Sequence, residues 1–311
     1  MAFAGTEWDA VCGWFPGCAV TVGDYMVTIN NRGTVPSGAT LPADTYSIFN
    51  SATNTARVFS GVSGYSKNFD GMVAYGGYAW AVYNDAGLTG TPYVERIDPV
   101  SGSLTRMVQR AGQYIDAADG KIFTWKESSA VSAWDVAAGA SWGPVGGFGS
   151  GGWGSATPGS GLLVLSRSTG TITQWDVTTN PPTSLSVTTL PPGMYALGRG
   201  AIIGDYVYFR ASGGLMRYNW VTPAATFLPY TPTGYPGDAS GYATVAGPDG
   251  YIYGLTGSGS VGSSTPLRMT VVNPADSTWQ VDDLPTVRAR RAPLILGPNG
   301  NLWMPTGEPL G

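Results

Sequence analysis

The stretch GDYVYF (residues 204–209), followed after six residues by MRYNWVTPAATFL (216–228), decides the fold. A Gly-Asp turn opens an alternating aromatic and aliphatic run, and a second apolar run then stops at Asn219, turns and resumes. Glycine supplies the positive φ that tight hairpins demand. Asn and Asp close a turn by hydrogen-bonding their own backbone. The segment therefore reads as four short strands: one before Gly204, one after it, one ending at Asn219 and one beyond.

The same grammar runs through the chain. Gly turns open GDYMVTI at Gly23, GGYAWAVY at Gly76, DGKIFTW at Gly120, GSGLLVLS at Gly161, DGYIYGL at Gly250 and NGNLWMP at Gly300. Asp or Asn turns follow at Asn50, Asp98, Asp135, Asp176 and Asn273. The period is about 46 residues, in the range of repeat architectures. Seven Gly turns meet only six Asp or Asn turns after them. The stretch TEWDAVCGWFPG (6–17), with Trp8, Asp9 and Trp14, matches the missing third and fourth strands and precedes the first Gly turn. The expectation is a ring in which the N-terminus completes the last sheet.

This pattern resembles the seven-bladed β-propeller superfamily across Trp8 to Met304, with turn chemistry like that of quinoprotein and kelch propellers. The Trp-Asp pairs ending at Asp9, Asp135 and Asp176 are similar to those of WD-repeat blades, although no His supplies their Gly-His element. The resemblance implies an all-β fold of four-stranded blades in one domain, 1–311, with blade seven shared between residues 5–17 and 293–306. Radial repetition leaves only short sheet edges.

Composition agrees: 46 Gly and 23 Pro punctuate a chain that is 43% hydrophobic and only 12% charged, too apolar for disorder. A net charge of −4 removes the basic footprint of a nucleic-acid binder. No apolar run is long enough for membrane insertion, and MAFAGTEWDAV lacks the regions of a signal peptide. Cys12 and Cys18 can be bonded or free; free thiols are the commoner outcome for such a pair made in a reducing compartment.

The chain has no histidine. That removes Ser-His-Asp and Cys-His catalysis, His metal sites and a His general base. Two cysteines without His make no structural zinc site, and no phosphate loop or EF-hand spacing occurs, so neither metal nor cofactor is expected. Asp24, Asp119, Asp205 and Asp249 sit in Gly turns, where capping explains them. Asp282 and Asp283 precede LPTVRARR, making Arg288, Arg290 and Arg291 candidates for an interchain or anion contact.

The long connections, among them 30–46, 84–92 and 256–266, all leave one face of such a ring, the usual place for function. They and the blade-to-blade crossings bring Tyr65, Phe69, Phe148, Trp153, Tyr195, Tyr230 and Tyr235 among small polar residues. Exposed aromatics in that setting suit a protein interface or stacking on sugar rings. Strand aromatics such as Trp80, Trp125, Trp175, Tyr208 and Trp303 are expected in the core. Arg far exceeds Lys, which occurs only at 67, 121 and 126. With few charges and much Gly, Ser, Thr, Tyr and Trp, the composition resembles that of phage minor tail or tail-tip proteins. The resulting expectation is a non-enzymatic structural and binding propeller in a virion, made in the host cytoplasm. Its partners would be other tail proteins and a host cell-surface glycan. The alternatives are a polysaccharide lyase or glycosidase, and a cytoplasmic protein-interaction scaffold.

Overall fold

The computed structural model describes residues 19–30, 45–60, 68–84, 93–109, 114–125, 129–142, 150–151, 153–157, 161–166, 169–192, 200–211, 213–230, 244–256, 267–284 and 294–303. These residues form strands and turns, with no helix among them. Six four-stranded antiparallel sheets follow one another, spanning 19–60, 68–109, 114–142, 153–189, 201–229 and 244–284. Each is a meander whose strands pair in chain order. The third also brackets a small side pairing of Ser129–Ala130 with Ser150–Gly151.

Burial explains why the apolar runs are only partly alternating. In the fifth sheet the second strand, Tyr206–Ala211, is buried at every position after its first, whereas the outer strand, Ala224–Pro229, is largely exposed. A strand inside a blade is covered on both faces by neighbouring blades, so both faces must be apolar or paired. The outer strand projects beyond its neighbours and keeps only intermittent cover.

The innermost strands define a ring. Those of the first, second, third and fourth sheets pack in succession, as do those of the fifth and sixth. The fourth and fifth sheets share a core of Leu163, Ile172, Val207, Phe209 and Met216. The strand Ile295–Leu296 packs against the innermost strands of both the sixth and the first sheets. There the Thr21 hydroxyl donates to the Leu296 carbonyl at 2.6 Å, and the Phe49 and Trp303 rings lie 5.5 Å apart. Sheets radiating from a ring of inner strands make a β-propeller with four-stranded antiparallel blades.

The blade count departs from the sequence expectation. Among the described residues six blades are complete, and Ile295–Leu296 and Leu302–Trp303 form a further two-stranded sheet. Residues 5–17, assigned to its third and fourth strands, lie outside the described residues together with Trp8, Asp9, Trp14 and both cysteines.

The turns follow the sequence grammar closely. Gly23, Gly76, Gly120, Gly204, Gly250 and Gly300 all have positive φ. Gly161 differs: it lies within a strand, paired with Thr157 and Asp176, and residues 158–160 fall outside the described residues. All six Asp or Asn residues accept from backbone amides two or three positions on. For example, Asn219 Oδ1 accepts from Val221 and Thr222, each at 2.9 Å, and Asp98 Oδ1 from Val100 at 2.9 Å. Asp24 and Asp205 contribute main-chain carbonyls instead, accepting from Ser51 and Trp220 of the other turn in the same blade. These bonds tie the two tight turns of a blade together on one face.

Candidate functional site

Of the seven aromatics expected on the loop face, Tyr65, Phe148, Tyr195 and Tyr235 lie outside the described residues, as do Arg288, Arg290 and Arg291. Phe69 and Trp153 are strand residues instead of loop residues. The inner strand Asn68–Tyr75 carries Phe69 opposite Tyr83, with a bulge beside it, and Trp153 opens Trp153–Thr157 opposite Leu165. Backbone pairing thus reaches further into these crossings than their small polar composition suggests. Asp282 accepts from the Gln280 amide at 3.4 Å to each oxygen, a local contact two residues back. Among the expected core aromatics, Trp80 and Tyr208 are buried, whereas Trp175 and Trp303 are half-buried.

Tyr230 is the remaining member of the seven. It follows the outer strand of the fifth sheet, and its amide donates to the Gly213 carbonyl at 2.9 Å. That bond ties it to the start of the third strand, Gly214–Asn219, at the loop end of the blade. Its ring meets Trp279 of the sixth sheet edge-on, with centroids 5.0 Å apart. Together they border a cleft between the fifth and sixth sheets.

The cleft floor combines buried Leu215, Ile252 and Val272 with two buried polar residues, Arg210 and Thr270. Tyr230, Trp279 and Thr244, all half-buried, form its rim. Its free volume is about 20 Å³, roughly the room of one water molecule, so it accommodates a single chemical group and not a whole substrate. The two hydroxyls already donate, Thr244 to the Tyr208 carbonyl at 3.3 Å and Thr270 to that of Gly254 at 3.0 Å. The Trp279 indole nitrogen is buried and has no hydrogen-bond partner. Arg210 places a guanidinium beside the apolar side chains of the floor. Sequence reading reached Tyr230 through its loop and missed the other two. The available signal was a lone Arg inside the otherwise apolar run YVYFRA.

Elsewhere, buried charged residues make contacts between and within blades. Glu95, on the third strand of the second sheet, has no solvent exposure and accepts from the Tyr46 hydroxyl of the first sheet. Asp116, also fully buried, lies on the inner strand Tyr114–Ala118 and accepts from the Ala117 amide at 2.9 Å. Lys121 bridges to Asp119 at 2.8 Å and lies 4.8 Å from the Trp142 ring. No group of three His, Cys, Asp or Glu that could hold a metal occurs among the described residues.

The perturbed acids are turn residues, not a catalytic pair. The Ser101 hydroxyl, helped by the Val100 and Ser101 amides and the Arg96 charge, holds Asp98 below the usual carboxylate range against the opposing effect of burial. The Thr178 hydroxyl and amide do the same for Asp176. Burial, reinforced by its 2.5 Å hydrogen bond to Asp249, pushes the Tyr253 phenol up to about 12. Burial also raises Tyr208, with Arg217 opposing.

No protein-family model matches the chain, and no curated protein matches it. Solved structures do. A streptogramin B lyase superimposes with a TM-score of 0.65 at 12% identity, over 94% of this chain and 90% of that one. A candidate 6-phosphogluconolactonase of Bacteroides uniformis gives 0.65 at 17% identity, over 90% and 88%. A chain of a mitotic checkpoint complex gives 0.62 at 13% identity, over 95% and 85%. The likeness to two enzymes and a checkpoint assembly at such identities is one of fold, which does not transfer function.

Proposed function

We propose that this chain is a non-enzymatic binding propeller that presents its loop face to a protein or cell-surface glycan, as a component of a phage tail. The observation that carries the binding reading is how the described polar side chains are used. The Asp and Asn turns are consumed by local caps, Glu95 by an inter-blade hydrogen bond, and the chain has no histidine. The virion role draws support from composition alone. Closure by residues 5–17 as the outer strands of a seventh blade belongs to the same reading. Its support is the position of Ile295–Leu296 between the first and sixth sheets, and that Leu302–Trp303 has one strand partner among the described residues.

A catalytic reading takes support from the lyase and lactonase names of two structural neighbours. Among the described side chains of the inner strands the one carboxylate is Asp116, which is completely buried; Asp70, on the inner strand Asn68–Tyr75, has a side chain outside the described ones. The deciding experiment is a panel of cell-envelope glycans and isolated tail proteins, scored for binding and for turnover. Binding without turnover supports the proposal. Turnover abolished by Asp116→Asn overturns it, as does failure to bind either class.

A further inference from the structure

We propose that the outer strand of the fourth sheet, Thr183–Thr189, is a pairing edge through which two copies of this chain associate about a twofold axis, strand against strand. It lies at the outer rim of the blade, so the inference stands apart from the loop-face reading. An outer strand offers a row of unpaired N–H and C=O groups, and proteins blunt such edges with charge, proline or short length. The other five complete blades do so. The outer strands of the first and second sheets, Thr55–Ser60 and Leu104–Gln109, carry Arg57 and Arg106. That of the third, Ala140–Trp142, has three residues; that of the fifth ends in Pro229; that of the sixth, Thr278–Leu284, carries Asp282 and Asp283. The fourth, TSLSVTT, runs for seven residues without a charge or a proline, and its Leu185 and Val187 are 57% and 63% exposed. A bulge sets Leu185 apart, yet residues 186–189 keep one register with their partners.

That register fixes which groups face outward. The Leu190 amide donates to the Gly170 carbonyl at 2.7 Å, and the pairs Ile172 with Thr188 and Gln174 with Ser186 fall on the same alternation. In an antiparallel ladder the residues between such pairs turn their backbone groups away from the partner strand. Val187 and Thr189 therefore point N–H and C=O outward, where no strand pairs with them among the described residues. Groups spaced along a strand are matched by another extended strand. A twofold axis at Val187 sets that residue opposite its own copy and Thr189 opposite Leu185, and covers the exposed aliphatic side chains with each other. Charge selects the occupant. Self-pairing brings like charges to one seam, which Arg57, Arg106 or the two aspartates would oppose, whereas TSLSVTT has none to bring. A foreign strand finds no charge on this edge to select it, so a second copy is the favoured occupant.

Wild type is expected to dimerise with a dissociation constant on the order of 10 µM, the weak end suited to a single strand pair. Sedimentation velocity on the whole chain, over concentrations spanning that value, reads it. Val187→Lys sets ammonium groups against each other across the axis and should weaken the dimer at least about tenfold. Val58→Lys, the same change at an exposed valine on the first sheet's outer strand, should leave it unchanged. Hydrogen exchange at the Val187 and Thr189 amides should slow as concentration rises. If Val187→Lys fails to fold by circular dichroism, Thr189→Lys takes its place. A chain that stays monomeric throughout overturns the proposal, as does a dimer that Val187→Lys leaves intact. Equal weakening by Val58→Lys marks a general effect of charge and also overturns it. A monomeric chain whose edge amides slow only when another protein is added overturns the second copy as the occupant.

Discussion

Tyr46→Phe removes a single oxygen from the interface between the first and second sheets. Tyr46 is fully buried on the third strand of the first sheet, and its hydroxyl is a donor to Glu95, itself without solvent exposure on the third strand of the second. The Phe ring fills the space of the Tyr ring, so almost no cavity forms. What changes is that a buried carboxyl oxygen loses a donor. Hydrogen bonds to charged groups contribute about 1.5–3 kcal/mol, so the expected loss is about 2 kcal/mol. Urea unfolding should show a lower midpoint with an unchanged slope, since the surface exposed on unfolding is the same. A cycle through Tyr46→Phe, Glu95→Gln and the double variant should return a coupling of about 1–2 kcal/mol. A Tyr46→Phe cost below about 0.5 kcal/mol, within the range of an ordinary surface substitution, would refute the claim that this pair joins the two blades.

Further outcomes follow from the turns and the closure. Gly204→Ala should cost about 1–2 kcal/mol in the same assay through the left-handed backbone alone, since φ is +54° and an added Cβ meets nothing within 4 Å; a cost near zero would show that this turn is not built as described. Asp98 and Asp176 have lowered folded-state pKa values, so their stabilisation is present above the ordinary carboxylate value near pH 4 and is lost as pH falls through the lower folded values. Melting temperatures from pH 6 to pH 2 should therefore fall less steeply for Asp98→Asn and Asp176→Asn than for wild type; parallel curves would count against the caps. Deleting residues 5–17 should lower the melting temperature strongly if they close the seventh blade, whereas an unchanged transition would exclude that closure.

Local chemistry was legible in the sequence because the contacts that express it are local. Asn219 reaches Val221 and Thr222, and Asp98 reaches Val100 and Ser101, so a four-residue string reveals the turn, and six such strings in register reveal the blades. The all-β class and the repeated four-strand unit came from the sequence alone. The site did not. Arg210 and Trp279 are 69 positions apart and share a cleft only because the fifth and sixth sheets pack face to face. Glu95, within YVERI, reads as one more exposed charge, yet it is buried because a third strand is covered on both sides by neighbouring blades. Period-two patterning assigns each strand one wet face, and radial packing overrides it wherever a strand is interior to a blade. The last sheet marks the same boundary: counting turns gives it four strands, whereas among the described residues Leu302–Trp303 pairs with Ile295–Leu296 alone, because strand pairing depends on which distant segment comes alongside and not on the turn that precedes it.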